Sequence, residues 1–290
     1  MGSRERLTHV NGADQCLQTF GDQGAPAVLL IAGAAHSMDW WDTRLCGVLA
    51  EGGRFVIRYD YRDTGRSASY APGAPKYDFD DLVDDALGLL DALGLSTAHV
   101  VGASLGGGIA QRLALAHAGR LLSLTLLSTS PGIRPNAPFR DGLPPPSDDL
   151  MERLFAARKE PDWEDRAAVI DWIVEEQSAL AGARRLEEAY LRRLLARVLD
   201  RTGDIAACMT NHRHIEPGAA YASRVGDISL PTLVVHGTDD PLLPFEHAVA
   251  LADEISAAEL LPLRDVGHQM PPPDTWDTLV AALLSHTGGS

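Results

Sequence analysis

The sequence predicts an α/β fold: a mostly parallel sheet flanked by helices, with a helical lid inserted after the sixth strand. Three observations predict it. Apolar runs of strand length recur at residues 27–32, 54–59, 121–127 and 232–236, as strands buried on both faces of a parallel sheet require. Helical patterns alternate with these runs. Between residues 133 and 226 the alternation stops, and helical patterns follow one another with no strand between them.

Taken in order, residues 7–20 alternate weakly and are cut by Asn11-Gly12, which reads as a hairpin of two edge strands. The run 27–32 is the first buried strand. Residues 42–50 read as a helix, 54–59 as the next strand, and 60–67 as a polar, glycine-bearing loop. That loop is either a hydrogen-bonded corner or a substrate contact, and the corner is the ordinary role for such a segment. An amphipathic helix spans 80–93, with Leu82, Val83, Ala86, Leu89, Leu90 and Leu93 at helical spacing and Gly94 as its stop.

The short run Val100-Val101 then turns at Gly102-Ala-Ser104-Leu-Gly106 into an Ala/Leu-rich helix over 109–117. Strand, tight turn, helix places Ser104 at the apex, in the Gly-x-Ser-x-Gly pattern of a nucleophile elbow. The glycines leave out the Cβ atoms that would collide with the neighbouring strand and helix. The same turn also resembles a glycine-rich dinucleotide fingerprint. Its position past residue 100 argues against that reading. So does the absence of a Tyr-x-x-x-Lys pair, since Lys76 and Lys159 are the only lysines.

Strand 121–127 follows. Pro131, Pro135, Pro138 and Pro144-Pro-Pro146 then break the chain, and helices are expected over 150–159, 166–180 and 186–199. Residues 1–132 and 227–290 are therefore read as the α/β core and 133–226 as a helical cap over the crevice where ligands bind. The His212-x-His214 pair has no third ligand nearby, so it is read as pocket or surface histidines rather than a metal site. Strand 232–236, helix 246–255, strand 258–263 and helix 275–286 complete the fold.

A serine hydroxyl needs a base to take its proton and a third group to fix the base. Asp240, in Gly237-Thr-Asp-Asp240-Pro241, and His268, after Gly267, supply both at strand ends, in the order Ser104, Asp240, His268. Asp239 is the competitor of Asp240. The oxyanion N–H groups are assigned to Leu105, at the helix N-terminus, and to Ala34 in the loop after the first buried strand, with Ala35 as the second choice. Ala35, His36, Met38, Trp40 and Met270 are candidate substrate contacts, with Trp41 beside them; the alternative is that Trp40 and Trp41 begin a helix packed on the sheet. No metal or cofactor is expected.

The elbow, the Gly-x-x-Asp-Pro turn, the Gly-His loop and the helical insertion together resemble the α/β-hydrolase superfamily over essentially the whole chain. Residues 58–67, Arg-Tyr-Asp-Tyr-Arg-Asp-Thr-Gly-Arg-Ser, and an oxyanion stretch with glycine but no His-Gly pair resemble the aclacinomycin methylesterase-like esterases. The resemblance implies a Ser-Asp-His serine hydrolase acting on a carboxylic ester, such as a methyl ester or lactone, of an apolar small molecule. Cofactor-free haloperoxidases or perhydrolases and C–C bond hydrolases share the triad and stay open, as does a binding protein with idle chemistry. Epoxide hydrolases and haloalkane dehalogenases of this fold use aspartate where Ser104 stands.

Composition narrows the partners. The 290 residues carry a net charge of −15, which argues against nucleic acid and anionic membranes. The three cysteines, Cys16, Cys46 and Cys208, fit no disulfide or metal spacing. The first eight residues lack an apolar signal region, so a cytoplasmic protein is expected. Its expected partner is a small-molecule substrate, and a homodimer stays open.

Overall fold

A computed structural model describes residues 5–135, 140–156, 159–219 and 224–288. Eight strands form one sheet. The hairpin β1 (Arg6–Val10) and β2 (Ala13–Phe20) turns at Asn11 and Gly12, with φ of 46° and 74°, the mirror-image turn that matches strand twist. Only β1 is an edge. β2 pairs antiparallel with β4 (Phe55–Asp60), which corrects the expectation of two edge strands. From β4 onward all pairings are parallel, through β3 (Ala27–Ile31), β5 (Ala98–Ala103), β6 (Leu121–Leu127), β7 (Thr232–Gly237) and β8 (Ala258–Leu263).

The central strands are buried because helices lie against the sheet. Leu29, Leu30, Ile31, Val100 and Val101 have no exposed surface, which explains their unbroken apolar runs. Helix α1 (Thr43–Glu51) starts at the Asp42 cap, and α2 (Phe79–Ala92) starts at a reciprocal capping box between Asp78 and Asp81. Helix α3 (Leu105–Ala116) begins four residues earlier than the sequence pattern suggested, directly after Ser104. Its glycines hid the start, because they carry no periodic apolar signal.

Trp40 belongs to a single 3₁₀ turn, Met38–Trp40, and Trp41 follows it; neither begins α1. Among the described residues, the segment between β6 and β7 holds helices and no strand: α4 (Asp148–Met151), α5 (Arg166–Leu180), α6 (Glu188–Arg201) and α7 (Ile205–Thr210). The helix expected over 150–159 is instead a short α4 running into a π turn, Glu152–Ala156. Residues 157–158 of that expected helix, and Pro138, lie outside the described residues. Helices α8 (Glu246–Glu254) and α9 (Trp276–His286) complete the core, with α9 against α1.

The polar loop 60–67 is a hydrogen-bonded corner. Arg62 grips Asp85 at 2.8 and 2.9 Å, and Asp63 accepts from Tyr77 and Asn211. Asp60 receives the Met38 and Arg66 N–H groups. It also binds Arg201 at the end of α6, at 2.7 Å, and Arg201 further reaches Asp39 and Glu5. One cation from the segment between β6 and β7 thus pairs with two buried carboxylates of the core. The three cysteines are free and buried, and burial pushes the Cys16 and Cys46 thiols up to about 12.

Candidate active site

Strand β5 ends at Ala103, and the chain reverses into α3 through Ser104, whose φ of 50° and ψ of −116° are strained for a residue with a side chain. The strain is held from several directions. The Ser104 N–H donates to Leu127 O of β6, and Ser104 O accepts from Gly107, Gly108 and Thr129 Oγ1. A Cβ on Gly102 would run into the Gly106 carbonyl, and one on Gly106 would sit 2.5 Å from the Ile31 and Ala32 carbonyl oxygens. Both positions exclude side chains because helix and strands touch backbone to backbone there.

Ser104 Oγ lies 3.1 Å from His268 Nε2. His268 Nδ1 lies 2.8 Å from Asp240 Oδ2. Asp240 is fixed at its other oxygen by the N–H groups of Leu242 and Leu243, at 3.0 and 2.8 Å. Burial raises its carboxyl. The charge and hydrogen bond of His268, with help from His236, outweigh that burial and hold it well below the ordinary carboxylate range. A carboxylate that stays ionised accepts the His268 Nδ1 proton, which leaves Nε2 free as an acceptor for the serine hydroxyl. Asp239 is exposed and bonds Thr238 and Ala183 N–H instead. Of the two adjacent carboxylates, Asp240 is the one bonded to His268.

Leu105 opens α3, so its N–H has no intrahelical partner. Ala34 is exposed, beside Gly33, where a Cβ would come 3.4 Å from Ser104 Cβ. Ala35, the second choice for the oxyanion donor, is corrected: its N–H already donates to His212 Nδ1 at 3.2 Å. His36 stacks on Trp40, with centroids 3.8 Å apart and planes 13° from parallel. Its Nδ1 is buried without a partner, and burial lowers the imidazole to about 3, so the ring is neutral.

Met38 and Trp41 are enclosed, at 0% and 1% exposure, which corrects their expected place in a pocket wall. Their side chains are spent on packing. Trp40 and Met270 keep only slivers of surface, 4% and 7%. A cavity of about 710 Å³ lies between α6 and the segment after His268, lined by Tyr190, Arg193, Arg197 and Pro272 among others. Ser104, Asp240 and His268 do not line it.

Sequence reasoning missed His236 and gave His212 no role in this site. His236 Nε2 donates to Leu243 O at 2.8 Å and faces Asp240 Oδ2 at 3.3 Å, adding a dipole behind that carboxylate. Its apolar neighbours in β7 gave only the signal of a strand end. His212 is buried and bonded at both nitrogens, so the metal alternative has no free donor there. Among the described residues no cluster of metal-ligating side chains occurs.

Residues 26–271 match the family of the alpha/beta hydrolase fold. The chain belongs to that family. It is 33% identical to a rhodomycin D methylesterase of Streptomyces sp. (strain C5), over 92% of this chain and 93% of that protein. A rhodomycin D methylesterase of Streptomyces peucetius is 31% identical over the same shares. A 2-hydroxymuconate semialdehyde hydrolase of Pseudomonas sp. is 29% identical, over 84% of this chain and 81% of its own. Among solved structures, an esterase of Exiguobacterium antarcticum superposes with a TM-score of 0.76 at 22% identity, covering 99% of this chain and all of that one. Among the described residues no helix is long and apolar enough to cross a membrane.

Proposed function

We propose that this chain is a serine hydrolase that cleaves a carboxylic ester, in particular a methyl ester, of an apolar small molecule through an acyl-enzyme. The observation that carries the reading is the unbroken relay from Ser104 Oγ through His268 to ionised Asp240. The two methylesterase relatives support the ester and its small alcohol.

In the first half-reaction His268 Nε2 takes the Ser104 proton as Oγ bonds to the ester carbonyl carbon. The carbonyl oxygen becomes an oxyanion facing the Leu105 and Ala34 N–H groups. Collapse expels the alkoxide, which takes the proton from His268 and leaves as the alcohol. Water then gives a proton to His268 and attacks the acyl carbon. Ser104 recovers that proton as the acid departs. Asp240 stays ionised throughout and stabilises the transient imidazolium. The neutral imidazole of His36, stacked on the largely buried Trp40, suits an uncharged substrate. The helical insertion acts as a cap that limits water at the serine.

Intact-mass analysis after fluorophosphonate treatment tests the reading. One adduct is expected on the wild type and none on Ser104→Ala. A panel of methyl, ethyl and butyl esters then sizes the site, with methyl esters expected to be turned over best. Hydrolysis persisting in Ser104→Ala would sink the proposal. The semialdehyde hydrolase relative favours a second reading, carbon–carbon bond hydrolysis on the same triad. Turnover of a vinylogous dienoate ketone in preference to methyl esters would select it.

A further inference from the structure

We infer that His212, from the helical insertion, is a positioning residue that holds the oxyanion loop in its working conformation. The inference rests on the oxyanion assignment above and extends it to a residue that touches neither serine nor substrate.

Two consecutive peptide groups of the loop are pinned. The first joins Gly33 to Ala34 and carries the Ala34 N–H. Its carbonyl, Gly33 O, accepts from Tyr61 Oη and from the His36 N–H at 3.1 Å. In a trans peptide the N–H points opposite the C=O, so these two bonds aim the Ala34 N–H. The second joins Ala34 to Ala35, and its N–H donates to His212 Nδ1 at 3.2 Å. Ala35 has a φ of 61°, an unfavourable conformation for alanine that persists only when surrounding bonds over-determine it. The Cys208 thiol supplies one more, donating to Ala35 O at 3.4 Å.

His212 is built for an acceptor role. Its Nε2 faces the Arg62 carbonyl at 3.0 Å and must carry the proton there, which leaves Nδ1 as the acceptor for Ala35. Its ring packs edge-on against Tyr61, with centroids 4.9 Å apart, so both clamps of the loop brace each other. Burial lowers its basicity, which keeps the imidazole neutral and the acceptor present. The insertion thereby sets the geometry of the chemical centre as well as covering it.

Two near-isosteric amides separate the ring's two bonds. In His212→Asn the amide oxygen occupies the place of Nδ1 and retains the acceptor for Ala35. In His212→Gln the amide nitrogen occupies the place of Nε2 and retains only the bond to Arg62. Both variants, with His212→Phe, are measured for kcat and KM on a soluble ester, for fluorophosphonate inactivation rate and for Tm. Gln and Phe are expected to lose about 10- to 100-fold in kcat with KM nearly unchanged, and inactivation slows in step. Asn is expected to recover most of kcat although its Tm falls as far as that of Gln. Losses that track Tm, with Asn as slow as Gln, would overturn the inference, as would wild-type rates in Gln and Phe. Those failures leave Ser104→Ala inactive. An active Ser104→Ala would instead remove the serine mechanism itself, and this inference with it.

Discussion

Replacing Asp240 by asparagine changes one atom of the triad and reverses the tautomer of its base. Asp240 Oδ1 accepts the Leu242 and Leu243 N–H groups at 3.0 and 2.8 Å. In Asp240→Asn the amide oxygen must stay on that side, because an NH₂ there would face two donors. The amide nitrogen is then forced toward His268 Nδ1, 2.8 Å away, and toward the His236 Nε2 proton, 3.3 Å away. His268 meets an N–H by presenting a bare Nδ1, and its proton moves to Nε2. A protonated Nε2 cannot accept from Ser104 Oγ at 3.1 Å. Loss of the working tautomer in a serine triad costs on the order of 10⁴ in kcat, or about 5 kcal/mol of barrier. The assay is steady-state hydrolysis of an activated ester near neutral pH, with circular dichroism to show that the variant is folded. Retention of more than about a tenth of wild-type kcat, far above that cost, would refute the assignment of Asp240 and return Asp239 to contention.

Three further outcomes follow from the packing. Arg201→Met leaves Asp39 and Asp60 buried without their cation, and should cost about 3–5 kcal/mol in urea unfolding; an unchanged midpoint would mean the cluster contributes nothing. Gly106→Ala places a methyl 2.5 Å from two backbone carbonyl oxygens, and should cost about 1–3 kcal/mol of stability by overpacking and so lower Tm, a reading lost if the melt is unmoved. Acid should destabilise the fold: His36 and His99 are held down to about 3 and 4 by burial, while the unfolded chain takes up these protons near 6.5. Between those values the unfolded state binds more protons, so stability falls with pH by up to about 1.4 kcal/mol per unit for each group, partly offset by Asp60 and Asp85, whose carboxyls burial raises. Urea midpoints at pH 7 and 5 measure the slope, His99→Leu should flatten it, and a level profile would contradict the assignment.

By itself the sequence determined the α/β class, and its elbow, Gly-x-x-Asp-Pro turn and Gly-His loop singled out three residues that the fold brings into hydrogen-bond contact. Burial on both faces demands unbroken apolar runs, and the elbow demands glycines at fixed offsets from Ser104, so both constraints are local and leave local traces. The same locality explains the errors. Met38 and Trp41 look alike in sequence whether they line a pocket or fill the interior, and only the Asp60 and Arg58 bonds around residues 38–41 decided for the interior. Asp239 and Asp240 share one turn, and only the turn's direction showed which carboxylate faces His268. What the tertiary structure alone decided are contacts between segments far apart in the chain: Arg201 on Asp60 and His212 on the Ala35 N–H. A hydrogen bond spanning 177 residues imposes no spacing on the sequence, so a buried acceptor such as His212 reads as an ordinary histidine until the fold brings its partner to it.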